Sequence, residues 1–227
     1  MEKNQYRLCE EVLHRLNAAK ILDDLILIGS WCMPFYREYF SKIDYKPAIR
    51  TKDIDFLVPF PQKIKVKADI PDLLKDLGFV VGFKGAQGYI KLEHPDLLIE
   101  FLVPEKSKGT DGPFPLPKLG VNAVALRFLN LLTDNTIKVY VQNFYITLPH
   151  PANFALHKLI IFQRRVNEEK IAKDRESAVK ILKSLIENGE ISVIKNVFDT
   201  VPQKWQKKII KGLEEAKEKN ILEKLVK

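Results

Sequence analysis

Residues 27–58 read LIGSWCMPFYREYFSKIDYKPAIRTKDIDFLV, and two short pieces of this stretch decide how the rest of the chain is read. The run LILIGS, residues 25–30, has the length and composition of a buried strand closed by Gly29. WCMPFYREYF follows, with Pro34 in its first turn and Trp31, Phe35, Tyr39 and Phe40 on one side, which is the pattern of a helix. IDFLVPF is a second strand, stopped by Pro59 and Pro61. Alternate side chains of a strand share a face, so Asp53 and Asp55 point the same way while Ile54 enters the core. Two carboxylates that close repel, and one takes up a proton unless a cation lies between them. Hard oxygen ligands favour Mg²⁺ or Mn²⁺, and Mg²⁺ usually arrives on the phosphates of a substrate. Gly29 lets the backbone approach a ligand closely, and Ser30 opens a helix whose N–H groups and dipole suit phosphate oxygens. Taken singly, the Asp pair reads as a strand edge facing water and the Gly-Ser as an ordinary turn. Their order, strand, Gly-Ser, helix, then a strand with paired aspartates, sets a phosphate cradle beside a metal site.

The pattern outside this stretch alternates between strand and helix and then turns wholly helical. Leu8, Val12, Leu13 and Leu16 recur at helical spacing. DIPDLLKDLGF is a helix with Asp69 as its cap and Gly78 as its stop. GYIKLEHPDLLIEFLVP gives two strands joined at a turn dictated by Pro95, and residues 105–119, rich in Lys, Gly and Pro, read as a surface loop. TIKVYVQNFYITLP is a hairpin turning at Gln142-Asn143. Beyond Pro149 and Pro151 the strand signals end, and helices are expected over about 151–166, 169–187, 190–198 and 202–218, with a short last one. The expected architecture is α/β (α+β): a mixed sheet flanked by helices over 1–148, followed by a helical domain over 149–227.

Composition bounds the rest. Hydrophobic residues at 46% and charged residues at 29% describe an ordinary globular chain and exclude a disordered one. No apolar run is long enough to span a bilayer and the N-terminus lacks the apolar core of a signal peptide, so a cytoplasmic protein is expected. Cys9 and Cys32 show no metal-ligand spacing and read as buried thiols. The net charge of +8 is uneven: residues 121–227 hold 19 basic and 12 acidic side chains, an excess of seven. That excess suits either a polyanion such as RNA or a set of solvated helix faces.

The order IGS, helix, DID resembles the nucleotidyltransferase superfamily typified by DNA polymerase beta. RTKDIDF, and the later LPHPANFALHKLIIFQRR with KIAKDRESAVKIL, resemble its toxin–antitoxin and phage-defence branch. The resemblance implies that Asp53 and Asp55 hold the metals, Mg²⁺ or Mn²⁺, that Gly29, Ser30 and Arg50 bind nucleotide, and that Lys158 lies near the triphosphate. Lys173 and Asp174 would then lie near the domain junction. It also implies a third acid on a later strand, and LLIEFLV offers Glu100 for catalysis and metal binding. An acid among Leu, Ile and Phe is costly unless it is paired or metal-bound, so its alternative is a salt bridge to a nearby lysine. The 22 residues between Ser30 and Asp53 exceed the commonest family spacing and contain Arg37, Lys42 and Lys46. The implied activity moves a nucleoside monophosphate from an NTP to a hydroxyl with release of pyrophosphate, the acceptor being RNA, protein or a small molecule. The alternative is a catalytically inactive nucleotidyltransferase fold used as an antitoxin-like or RNA-binding module. The sequence leaves the oligomeric state open.

Overall fold

Val12, Leu13 and Leu16 lie fully buried along the first helix, α1 (Glu2–Ala18), as their spacing requires. The computed structural model describes residues 2–47, 51–105 and 112–226. They form two compact units: Met1–Phe35 with Pro47–Leu148, and Tyr36–Lys46 with Pro149–Lys227. Residues 36–46, inside the span expected for the first domain, therefore fold with the helices. The reason is local to that unit: the Tyr36 hydroxyl donates to the Pro149 carbonyl (2.8 Å), and the Tyr36 ring meets Phe154 edge-on.

The first unit is built on a mixed sheet. β1 (Ile26–Ile28) runs antiparallel to β2 (Asp53–Leu57), and β2 runs parallel to β5 (Leu98–Pro104). One edge of β5 is shared: its first residues pair antiparallel with β4 (Tyr89–Glu93), and its last with β7 (Val121–Leu126) in parallel. β3 (Val80–Lys84) extends the sheet from β4, and β6 (Phe114–Leu116) from β7. Between β2 and β3 lies α3 (Ile70–Leu74), where the Asp69 carboxylate caps the Asp72 N–H as expected and Gly78 takes the left-handed conformation beyond the helix. The hairpin β8 (Thr136–Val141) and β9 (Phe144–Pro149) turns at Gln142, as expected.

Three strands were not expected. β3 is exposed on both faces, including Val80 and Phe83, and Gly82 interrupts it, so no alternation marks it. The stretch read as a loop over 105–119 includes β6, whose central Pro115 is tolerated because β6 pairs on one side alone. β7, VNAVAL, follows directly, and α4 (Asn130–Thr133) places Leu129 and Leu132 against Ile26, Ile28, Leu57 and Leu102. The opposite face of β2 and β5 stacks Phe56 on Phe101.

The second unit is helical. α5 (Pro151–Ile161) is buried at every position through Ile160, which is why its sequence lacks a polar stripe. α6 (Glu168–Glu187), α7 (Ile191–Thr200) and α8 (Gln203–Glu215) pack on it, and α9 (Lys219–Val226) closes the unit against α7 and α8. Gly212 permits the approach of α8, since a Cβ there would lie 2.8 Å from the Leu159 carbonyl oxygen. Among the described residues no helix is long and apolar enough to cross a membrane, and Cys9 and Cys32 are buried.

Candidate active site

β1 ends at Ile28, and Gly29–Trp31 form one tight helical turn that runs straight into α2 (Cys32–Tyr39). The start of the helix is tied to the strand, because the Cys32 thiol donates to the Leu27 carbonyl (3.2 Å). A helix start offers N–H groups with no partner inside the helix, and Ser30 sits there half-buried. Gly29 has φ +73°, the left-handed region that penalises side chains, and a Cβ on it would lie 2.5 Å from Asp55 Oδ2. The glycine thus serves two needs: it turns the chain, and it leaves the space that the Asp55 carboxylate enters.

The register brings the acids together. Asp53 and Asp55 lie on the same half-buried face of β2, two residues and so about 6.6 Å apart along the strand. Glu100 is directly opposite Asp55 on the parallel neighbour β5, where strands lie about 4.8 Å apart. The face that carries the three acids continues into Leu57 and Leu102 under α4, so one half of it is polar and the other is core. The Glu100 carboxylate is met by Lys91 of β4, with Nζ 2.7 Å from Oε1. Sequence reading left that lysine unnamed. The antiparallel ladder Leu92↔Ile99 sets Lys91 against Glu100 one step further on, and the turn at His94–Leu97 is the sequence signal from which this register could have been read.

Arg50 falls outside the described residues. Lys158, on α5 of the helical unit, is buried and forms an ion pair with Asp174 of α6, whose second oxygen accepts from Arg165 (3.1 Å). Lys173 stands beside Asp174 on the same helix, and His157, beside Lys158, is buried as well.

Among the described residues no three His, Cys, Asp or Glu side chains form a ready metal cluster. The donor chemistry of Asp53 and Asp55 still fits a hard divalent ion, because Mg²⁺ commonly takes one or two carboxylates and completes its shell with phosphates and water. The bare Gly29 backbone, against which the Asp55 carboxylate lies, is consistent with that fit. Glu100, opposite Asp55, is paired with Lys91.

A family model described as nucleotidyltransferase matches residues 7–197. The chain belongs to the nucleotidyltransferase family. It is accordingly an enzyme of nucleotidyl transfer. The solution structure of the antibiotic-resistance factor ANT(2'')-Ia is similar at 13% identity and a TM-score of 0.46, over 88% of this chain and 94% of that one. ANT(2'')-Ia in complex with adenylyl-2''-tobramycin gives 11% identity and a TM-score of 0.48, over 86% and 97%. An antigenic nucleotidyltransferase-like protein from Paracoccidioides brasiliensis gives 14% and 0.38, over 77% and 76%. A search of curated proteins finds no match.

Gly29→Ala is expected to weaken binding of a metal–triphosphate about tenfold or more by moving Asp55, and to cost about 1–3 kcal/mol of stability through the left-handed backbone. Calorimetric titration and denaturant unfolding of the variant measure the two effects.

Proposed function

We propose that this nucleotidyltransferase moves a nucleoside monophosphate from an NTP to a hydroxyl on an RNA. The observation that carries the reaction is the placement of Asp53 and Asp55 on one strand face with the Gly29 turn against Asp55. Ser30 and the start of the helical stretch hold the phosphate oxygens. Asp53 and Asp55 would hold the divalent cation, Mg²⁺ or Mn²⁺, which supplies neutralisation of charge on the attacking and leaving oxygens. The acceptor oxygen forms a bond to the α-phosphorus, the bond from that phosphorus to the α–β bridging oxygen breaks, and pyrophosphate leaves with the electron pair. Glu100, freed from Lys91, takes the hydroxyl proton. The RNA assignment rests on the excess of seven basic side chains over residues 121–227. A place in a toxin–antitoxin pair is supported only by the resemblance of RTKDIDF and of LPHPANFALHKLIIFQRR with KIAKDRESAVKIL.

The test incubates the protein with α-labelled triphosphates and a cell lysate, then asks which class of molecule carries label. Label in RNA, with RNA binding that falls by roughly 0.7 in log affinity per neutralised phosphate for each decade of salt, is the expected result. Label in protein or small molecules, with no RNA binding even at low salt, would remove RNA as the acceptor.

A further inference from the structure

Lys91 and Glu100 form an ion pair on the acid-bearing face, and the sheet itself explains why they meet. Read across the strands, one row runs Ile28, Asp55, Glu100, Lys91 and Gly82. Glu100 therefore stands between a carboxylate on one side and an ammonium on the other. On the far side of Lys91, Gly82 offers no side chain, and the space a Cβ would fill there is taken by the Glu93 carboxylate. The backbone next to Lys91 is pinned from β7, where the Asn122 side chain accepts from the Ile90 N–H (2.8 Å) and donates to the Gly88 carbonyl (3.0 Å). Both partners are largely shielded, with side-chain exposures of 12% for Lys91 and 18% for Glu100. A shielded lysine held this firmly beside an acid is an internal counter-ion.

We propose that Lys91 is a positioning residue that holds the place of a cation at Glu100 until a divalent ion competes for that carboxylate. This rests on the reading of Asp53 and Asp55 as metal-holding residues. A divalent ion carries twice the charge of an ammonium, and the flexible lysine stem can withdraw where a rigid arginine fork could not. Glu100 is thereby exchanged between two cations, and the full set of three acids forms only on loading.

The test is a calorimetric titration of the full chain with Mn²⁺ alone. Lys91→Met is expected to bind Mn²⁺ on the order of tenfold more tightly than the unaltered chain, because the competing charge is gone. Lys91→Arg is expected to bind no more tightly than the unaltered chain. In a Glu100→Gln background the gain from Lys91→Met is expected to vanish, since Lys91 acts through Glu100. If Lys91→Met does not fold, Lys91→Gln, which keeps a hydrogen-bond donor without the charge, takes its place. Equal Mn²⁺ affinity in the unaltered chain and the Lys91 variant, or a gain that persists in the Glu100→Gln background, overturns this inference and leaves the metal-holding aspartates standing. No Mn²⁺ binding by either protein, with or without a triphosphate, overturns the metal reading and this inference together.

Discussion

Replacing Asp53 with asparagine is expected to lower nucleotidyl transfer by about a thousandfold while the protein stays folded. The loss follows from charge. A cation held by two carboxylates contributes several kcal/mol to the stabilisation of developing charge, and about 4 kcal/mol is a factor of about a thousand. Asparagine keeps the shape and the neighbouring contact, since Thr51 Oγ1 accepts from the Asp53 backbone N–H (3.2 Å) and not from the side chain. Crowding of like charge along β2 falls in the variant, so thermal unfolding should occur at or above the original temperature. Asp55→Asn is expected to cost activity on the same scale, because the carboxylate beside Gly29 is the other proposed ligand. Initial rates with a saturating triphosphate measure both. Near-normal turnover in either variant would remove that residue from the reaction.

The second large effect lies in the helical unit. Asp174→Ala is expected to destabilise the protein by about 3–5 kcal/mol, because Lys158, buried on α5, would lose the carboxylate that compensates it. Lys158→Met with Asp174→Leu is expected to recover most of that loss, since no buried charge is then left unpaired. Denaturant unfolding decides it, and a cost under about 1 kcal/mol for Asp174→Ala would show that water reaches the pair. Acid should act on the same cluster. Burial, followed by the nearby Lys158 charge, lowers the His157 pKa to about 3. Its ring Nε2 has no hydrogen-bond partner among the described residues. The stability His157 gives is therefore complete above the ordinary histidine value of about 6.5. Between there and pH 3 it falls by about 1.4 kcal/mol per unit, as the unfolded chain takes up the proton first. Burial by itself would raise the Asp174 pKa, but Lys158 and Arg165 hold it below the usual carboxylate range. Its contribution is present above about 3.9 and is lost as pH falls through the native value. His157→Leu should flatten the upper part of the acid limb and leave the lower part in place.

How far the sequence could be read differs from element to element. The shared face of Asp53 and Asp55 follows from the period of a strand, and the cap at Asp69 and the turn at Gln142 follow from local chemistry. β3 could not be read, because an edge strand exposed on both faces buries nothing in alternation. The membership of residues 36–46 in the helical unit was equally hidden. Tyr36 meets Pro149 at 113 residues' separation and Tyr39 meets His150 at 111, and local periodicity carries no information over such distances. Lys91 is intermediate: an ion pair for Glu100 was an open alternative, and the hairpin register at His94–Leu97 names the partner. Arg50 lies outside the described residues; Lys158 was read from family likeness, and its ion pair with Asp174 could not be read from the sequence.

The central claim is that Asp53 and Asp55, beside the Gly29–Ser30 turn, hold a metal–triphosphate. Its most direct measurement is the unfolding temperature of the unaltered chain and of Asp53→Asn with each NTP, with Mg²⁺ present and with Mg²⁺ removed by chelation. At a triphosphate concentration about a hundred times the dissociation constant, stabilisation of about 2.7 kcal/mol is expected for the unaltered chain with Mg²⁺, and almost none without Mg²⁺ or in the variant. Equal stabilisation in all of these conditions, or none in any, would contradict it.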